Sequence, residues 1–227
     1  MRLGAVAWPQ LDGGALPVLL IPLGATEQHG PHLPLETDTV IAAALAEAVA
    51  ARRADVIAAP ALPFGASDEH AGFPGTLSLG QEALEAAVVA LARSAEGFAA
   101  VILLSWHGGN AEPLARALAE MRAEGRPVAC WQPSHAGGDA HAGRTETSLM
   151  LAIAPELVGT ERPVGTTEPL VTLMPVLREH GIRAASPSGV LGDARGASAE
   201  EGRSLLRDLV ADLDTFVDAA RPAPAPA

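Results

Sequence analysis

Tyrosine is absent from this chain of 227 residues, aromatic residues make up only 3% of it, and there is a single cysteine. The lack of aromatics excludes a core built on packed rings. Burial falls instead to Ala, Val and Leu, and with 48% hydrophobic against 19% charged residues the balance is that of a globular protein. One cysteine excludes an intramolecular disulfide. Cys130 lies in the apolar run Val128–Trp131 and reads as a strand residue, with no neighbour that would activate a thiol. Basic residues are also scarce, 15 Lys and Arg against 27 Asp and Glu, for a net charge of −12. No basic patch is visible, so nucleic acid is excluded as a partner, and the acidity reads as solubility. Long apolar runs are missing too. The Ala-rich stretch Ile41–Ala51 is interrupted by Glu47 and falls short of the roughly 20 residues that span a bilayer, so no membrane partner is expected. Met1–Pro9 has neither the basic nor the apolar part of a signal peptide, which makes the cytoplasm the expected location.

What is present alternates. Short apolar runs at Val18–Leu23, Val56–Ala59, Ala100–Leu104 and Pro127–Trp131 read as buried strands. Between and after them, Asp38–Arg53, Gln81–Glu96, Glu112–Glu124, Thr145–Ala154 and Ala199–Ala219 read as helices, the second and third ended by Gly97 and Gly125. This order predicts an α/β fold: a single three-layer domain over residues 1–218, with a mostly parallel sheet flanked by helices. The Pro/Ala-rich end, residues 219–227, is expected to be a disordered tail.

Ligands of open α/β sheets bind beyond the carboxyl ends of the strands. There the first strand runs into Gly24–Asp38 (GATEQHGPHLPLETD). On an extended backbone Glu27 and His29, two apart, point the same way, and Asp38 returns at the start of a helix. Imidazole with carboxylates suits zinc, iron or manganese. Taken singly each residue has a plainer reading, Asp38 above all as a helix N-cap; their density after one buried strand favours a metal. His107, in Ser105–Asn110 (SWHGGN), again follows a strand and precedes a helix, where the alternative is a phosphate-binding turn. His141 and Glu146 lie in Asp139–Ser148 (DAHAGRTETS), where Thr145 as N-cap and a favourable helix dipole would account for Glu146 but not for His141. Ser67–Thr76 (SDEHAGFPGT) is either a polar surface loop or part of a pocket.

Together GATEQHGPHLPLETD, HAGFPGTLSL, WHGGN and HAGRTETSLML resemble the creatininase family, in order and spacing, over roughly residues 18–158. The resemblance implies an enzyme: a dinuclear metal-dependent hydrolase acting on a C–N amide bond. It places Glu27, Asp38 and His107 on one divalent ion and His29 and Asp38 on a second, with Asp38 bridging and His141 as a catalytic histidine. Creatininase has a further carboxylate two residues after the ligand matching His107; this chain has Gly109 there, and Glu146 is the candidate to complete the second site. Ser105 and Trp106 replace the family's usual Asn-Gly, a change expected to touch only the pocket wall. The later segments Ala185–Asp193 and Ala199–Gly202 are similar to a branch of the family that trims modified ribosomal precursor peptides, which implies release of a C-terminal Val-Tyr-derived unit. The resemblance also implies a homo-oligomer, a hexamer or larger. Hydrolysis of creatinine, deformylation of a formylamino-pyrimidine nucleotide, and a non-catalytic metal-binding module are the alternatives. Arg144, the only basic residue inside the motifs, is a poor basis for the nucleotide reading.

Overall fold

The computed structural model describes residues 1–12, 14–133 and 138–221. Four strands, β1 (Val18–Leu23), β2 (Val56–Ala58), β3 (Ala100–Ser105) and β4 (Val128–Trp131), form one parallel sheet in the order β2-β1-β3-β4. The central pair runs in register from Val18 opposite Ala100 to Leu23 opposite Ser105.

The strands are apolar throughout because both faces of the sheet are covered. On β1, Val18 and Leu20 pack to one side while Leu19, Ile21 and Leu23 pack to the other. β3 divides the same way, with Ile102 and Leu104 against Val101 and Leu103. The first side is closed by α1 (Thr37–Arg52), α4 (Arg144–Ile153) and α7 (Ala199–Ala220), through Ile41, Leu45 and Val49 of α1 and Val210, Leu213 and Val217 of α7. The second is closed by α2 (Gly80–Ser94) and α3 (Ala111–Ala123), through Leu84, Val88, Leu114 and Met121. Each fully buried aliphatic side chain of this kind contributes about 1.5–3 kcal/mol. These layers are the expected single α/β domain.

The strand and helix limits agree with the sequence reading to within two residues, with three differences. α2 ends at Ser94 and is capped by Ala95, so Gly97 lies beyond it, whereas Gly125 does follow α3 with φ +74°. A helical arm, α5 (Leu170–His180) and α6 (Ile182–Ala185), was not expected, because Pro175 sits inside α5. The arm survives by packing Leu173, Leu177 and Ile182 into a small separate cluster with Leu191. Finally, α7 continues to Ala220, past the expected domain limit at 218; the rest of the expected tail, residues 222–227, lies outside the described residues.

Gly24 brings the sheet and α1 together. A Cβ there would lie 2.3 Å from Thr39 Oγ1 and 2.4 Å from Thr39 Cα, so only glycine lets the end of β1 approach the first turn of α1. That approach puts Asp38 beside the residues that follow β1.

Candidate metal centre

Glu27 and His29 leave the end of β1 on extended chain, and both are fully buried. Asp38, at the second position of α1, is 1% exposed and makes no capping hydrogen bond; the N-cap position is Glu36. The plain reading of Asp38 as a cap therefore fails. Its Oδ1 lies 3.1 Å from His29 Nε2 and its Oδ2 3.4 Å from His107 Nδ1. His107, just beyond β3, also has Nδ1 3.2 Å from Glu27 Oε1. Glu146, in the first turn of α4, places Oε2 4.0 Å from His29 Nε2. Capping by Thr145 fails as well, since Gly143 holds the cap position without a side-chain bond.

Three sets of donor atoms gather within 4.8 Å: Glu27, Asp38 and His107; His29, Asp38 and Glu146; and Glu27, His29 and His141. The first two have the composition expected from the sequence, and they share Asp38. Three histidines are oriented by backbone carbonyls. His29 Nδ1–H donates to Glu27 O at 3.1 Å, His107 Nε2–H to Ala66 O at 3.1 Å, and His141 Nε2–H to Gln28 O at 2.8 Å. In each ring the other nitrogen is left facing the cluster, the arrangement that fixes a histidine as a metal ligand or a base.

The cluster fits a cation. Glu27 Oε2 and Asp38 Oδ2 are buried with no hydrogen-bond partner, and Glu27 Oε1 has imidazole nitrogens within reach; buried anions need compensation. The protein's own charges show the same demand. Burial alone would lower the pKa of His29, but Asp38 and Glu146 push it up to about 10. His107 is likewise raised to about 10, burial being outweighed by Glu27 and Asp38. Burial pushes the Glu27 carboxyl up, and His107 and His70 more than reverse this, holding it well below the usual range. Burial raises Glu146, opposed by His29 and reinforced by Asp38. Burial lowers His141, and His29 and His70 lower it further. These influences favour the neutral ring, and its Nδ1 lies 3.8 Å from Glu27 Oε1.

Position 109 could not supply a ligand. A Cβ on Gly109 would lie 2.3 Å from Ala66 O, 2.4 Å from His107 Nε2 and 2.5 Å from Glu69 Oε1. His70, from the stretch that was open between loop and pocket, is 2% exposed, with Nε2 3.0 Å from Glu27 Oε1. Gln28 was missed. Its Nε2 lies 3.0 Å from His70 Nδ1, 3.1 Å from His141 Nε2 and 3.1 Å from Gly189 O; donating to His70 Nδ1 and Gly189 O leaves the His70 proton on Nε2, toward Glu27. Nothing in the spacing of EQH announces this; the partners lie 42 and 161 residues away. Trp106 does more than line a wall, since its indole donates to Glu146 Oε1 at 2.9 Å. Arg144 is exposed and turned outward to Glu201, 2.8 Å away. Beside the cluster opens a cavity of roughly 410 Å³, lined by Leu35, Phe73, Pro74 and Pro187 with Gln28 and Ser188 as polar members.

The creatininase family profile, described as creatinine amidohydrolase, matches residues 5–217. The chain belongs to the creatininase family. A mycofactocin precursor peptide peptidase of Mycobacterium ulcerans (strain Agy99) is 46% identical over 218 residues, covering 92% of this chain and 87% of that protein. Another, from Mycolicibacterium smegmatis (strain ATCC 700084 / mc(2)155), is 48% identical over 203 residues, covering 86% and 82%. Among solved structures, a manganese form of creatininase aligns with TM-score 0.75 at 25% identity, over 98% of this chain and 99% of that one. A zinc–zinc form aligns with TM-score 0.74 at 25% identity, over 98% of each. This creatininase-family chain is a metal-dependent amide hydrolase. No helix among its described residues is long and apolar enough to cross a membrane.

Proposed function

We propose that this chain is a dinuclear metallopeptidase that releases the C-terminal Val-Tyr-derived unit from a modified mycofactocin precursor peptide. The observation that carries the metal part is Asp38, whose two oxygens face the two ligand sets from opposite sides, Oδ1 toward His29 and Oδ2 toward His107. Glu27, Asp38 and His107 would hold one divalent ion, and His29, Asp38 and Glu146 the other, with zinc, manganese and iron all compatible with these donors. The substrate part rests on the relatives named for that peptide.

Two such ions, when bound by these residues, would supply Lewis acidity for the scissile carbonyl and lower the pKa of water there. The remaining tasks fall to the chain. His141, neutral and with Nδ1 toward the cluster, accepts the proton of the attacking water and returns it to the leaving amine, while its Nε2–H stays on Gln28 O. His70 braces Glu27, with Nε2 3.0 Å from Oε1. Leu35, Phe73 and Pro74 offer the peptide an apolar wall that excludes water.

Among the described residues no charged side chain lines the cavity, and Arg144 is engaged with Glu201, which offers a nucleotide phosphate little counter-charge. The same reading carries a homo-oligomer of hexamer size or larger, as the family resemblance implies. Metal analysis together with parallel incubation with the processed precursor peptide, creatinine and the formylamino nucleotide tests it. Two ions per chain and cleavage of the peptide alone are expected; turnover of creatinine in preference to peptide would overturn the substrate assignment.

A further inference from the structure

Glu146 is held from two sides. Its Oε1 accepts the Trp106 indole N–H at 2.9 Å, and its Oε2 accepts the Ala142 backbone N–H at 2.6 Å. Ala142 donates from a left-handed conformation, φ 53°, which no other described non-glycine residue adopts. Side chains tolerate that region poorly, so the surrounding structure enforces it. Trp106 is 5% exposed, and an indole can only donate; its one polar atom is spent on this carboxylate.

The placement of Trp106 matters as much as its bond. It is the residue before His107, on the chain leaving β3. Successive side chains on extended backbone point apart. One short segment therefore serves both ligand sets, His107 by facing Glu27 and Asp38, and Trp106 by gripping Glu146 from behind. A carboxylate has about four lone-pair positions. With two used by Trp106 and Ala142, what remains on Oε2 faces His29 Nε2, 4.0 Å away, in the group that also contains Asp38.

We propose that Trp106 is the positioning residue of the second metal site, fixing the Glu146 carboxylate so that Oε2 joins His29 and Asp38 around a divalent cation. This rests on the two-metal reading above. Without the indole, Glu146 keeps only the Ala142 contact and can rotate about its terminal torsion, which removes the preorganised ligand from one site and leaves the other intact. Gly109 cannot compensate, because no side chain fits there.

The test compares wild-type protein with Trp106→Phe, which keeps an aromatic ring in the same place and loses the donor. Both are loaded with zinc and dialysed against graded chelator, and the metals retained per chain are counted. Wild type should hold two. Trp106→Phe should lose one of them at a free-zinc level about 10- to 100-fold higher than wild type does, the usual effect of removing a group that orients a ligand, and hold the other as wild type does. Equal retention of both ions by the two proteins overturns the proposal alone. A wild type that binds a single ion overturns the two-metal reading, and the proposal with it. If Trp106→Phe does not fold, the indole N–H signals of the unsubstituted protein decide, once those of Trp8 and Trp131 are assigned by substitution. The Trp106 signal should move on zinc titration while that of Trp131, bonded to Asp212 at 2.8 Å, stays. A Trp106 signal unmoved at saturation overturns the proposal.

Discussion

His29 and His141 lie ring against ring, centroids 4.3 Å apart and planes tilted by 39°. Two imidazoles this close cannot both carry a proton cheaply. His29 faces the carboxylates of Asp38 and Glu146, and His141 is the one left neutral. His141→Ala should therefore leave both metals bound and the fold unchanged, while kcat falls about 10²- to 10⁴-fold, the range associated with a general acid–base group. Steady-state kinetics with metal counting on the same sample checks this. Unaltered turnover would remove His141 from the chemistry.

Asp38→Asn separates a metal ligand from a helix cap, because Asn caps as well as Asp. The variant should stay folded by circular dichroism, lose metal from both sites and lose hydrolysis. Near-normal turnover with two ions bound would reject a shared ligand.

Gly109→Ala should be damaging although the added group is a single methyl. Its Cβ would meet Ala66 O at 2.3 Å and His107 Nε2 at 2.4 Å, so the backbone carbonyl that orients His107 must move. A loss of about 1–3 kcal/mol is expected from overpacking at this site, with weaker metal binding in the set containing His107. Thermal unfolding and chelator competition report the two effects separately.

Metal removal should lower the melting temperature, since an ion that binds only the folded state stabilises it by mass action. Zinc or manganese added back to stripped protein should restore it in a concentration-dependent way. A melting temperature indifferent to chelator and to added metal would contradict the cluster's need for a cation.

Cys130 should be inert. Burial pushes its thiol up from 9.0 to about 12, so at pH 8 the thiolate fraction is on the order of one in ten thousand. Iodoacetamide should modify it slowly in folded protein and rapidly after denaturation, read by mass spectrometry. The sign for stability follows. Between pH 9 and 12 the unfolded chain loses this proton first, so the thiol's contribution to stability falls as pH rises through that window.

Much of this architecture was legible because it is local. Runs such as Ala100–Ser105 announce a strand buried on both faces, and EQHGPH and WHGGN announce candidate ligands just past strand ends. What stayed hidden is long-range or contrary to propensity. No spacing rule links Trp106 to Glu146, forty residues on, or His70 to Glu27. α5 was invisible because Pro175 removes a helical donor, and only the packing of Leu173 and Leu177 compensates. Gly109 was visible as a missing ligand, but that no ligand could fit there required Ala66 and Glu69 in place.

The parallel sheet separates the molecule into two ends with different freedoms. Every ligand candidate gathers past the carboxyl ends of β1 and β3 or at the start of α4. At the opposite rim, the turns before the strands are tied by main-chain bonds, Val18 N to Asp55 O, Ala99 N to Pro17 O and Val101 N to Pro127 O, and by the ion pairs of Asp55 with Arg53 and of Glu124 with Arg126. That rim is where a linker for surface immobilisation can be grafted with the length of the sheet standing between the tether and the reacting peptide.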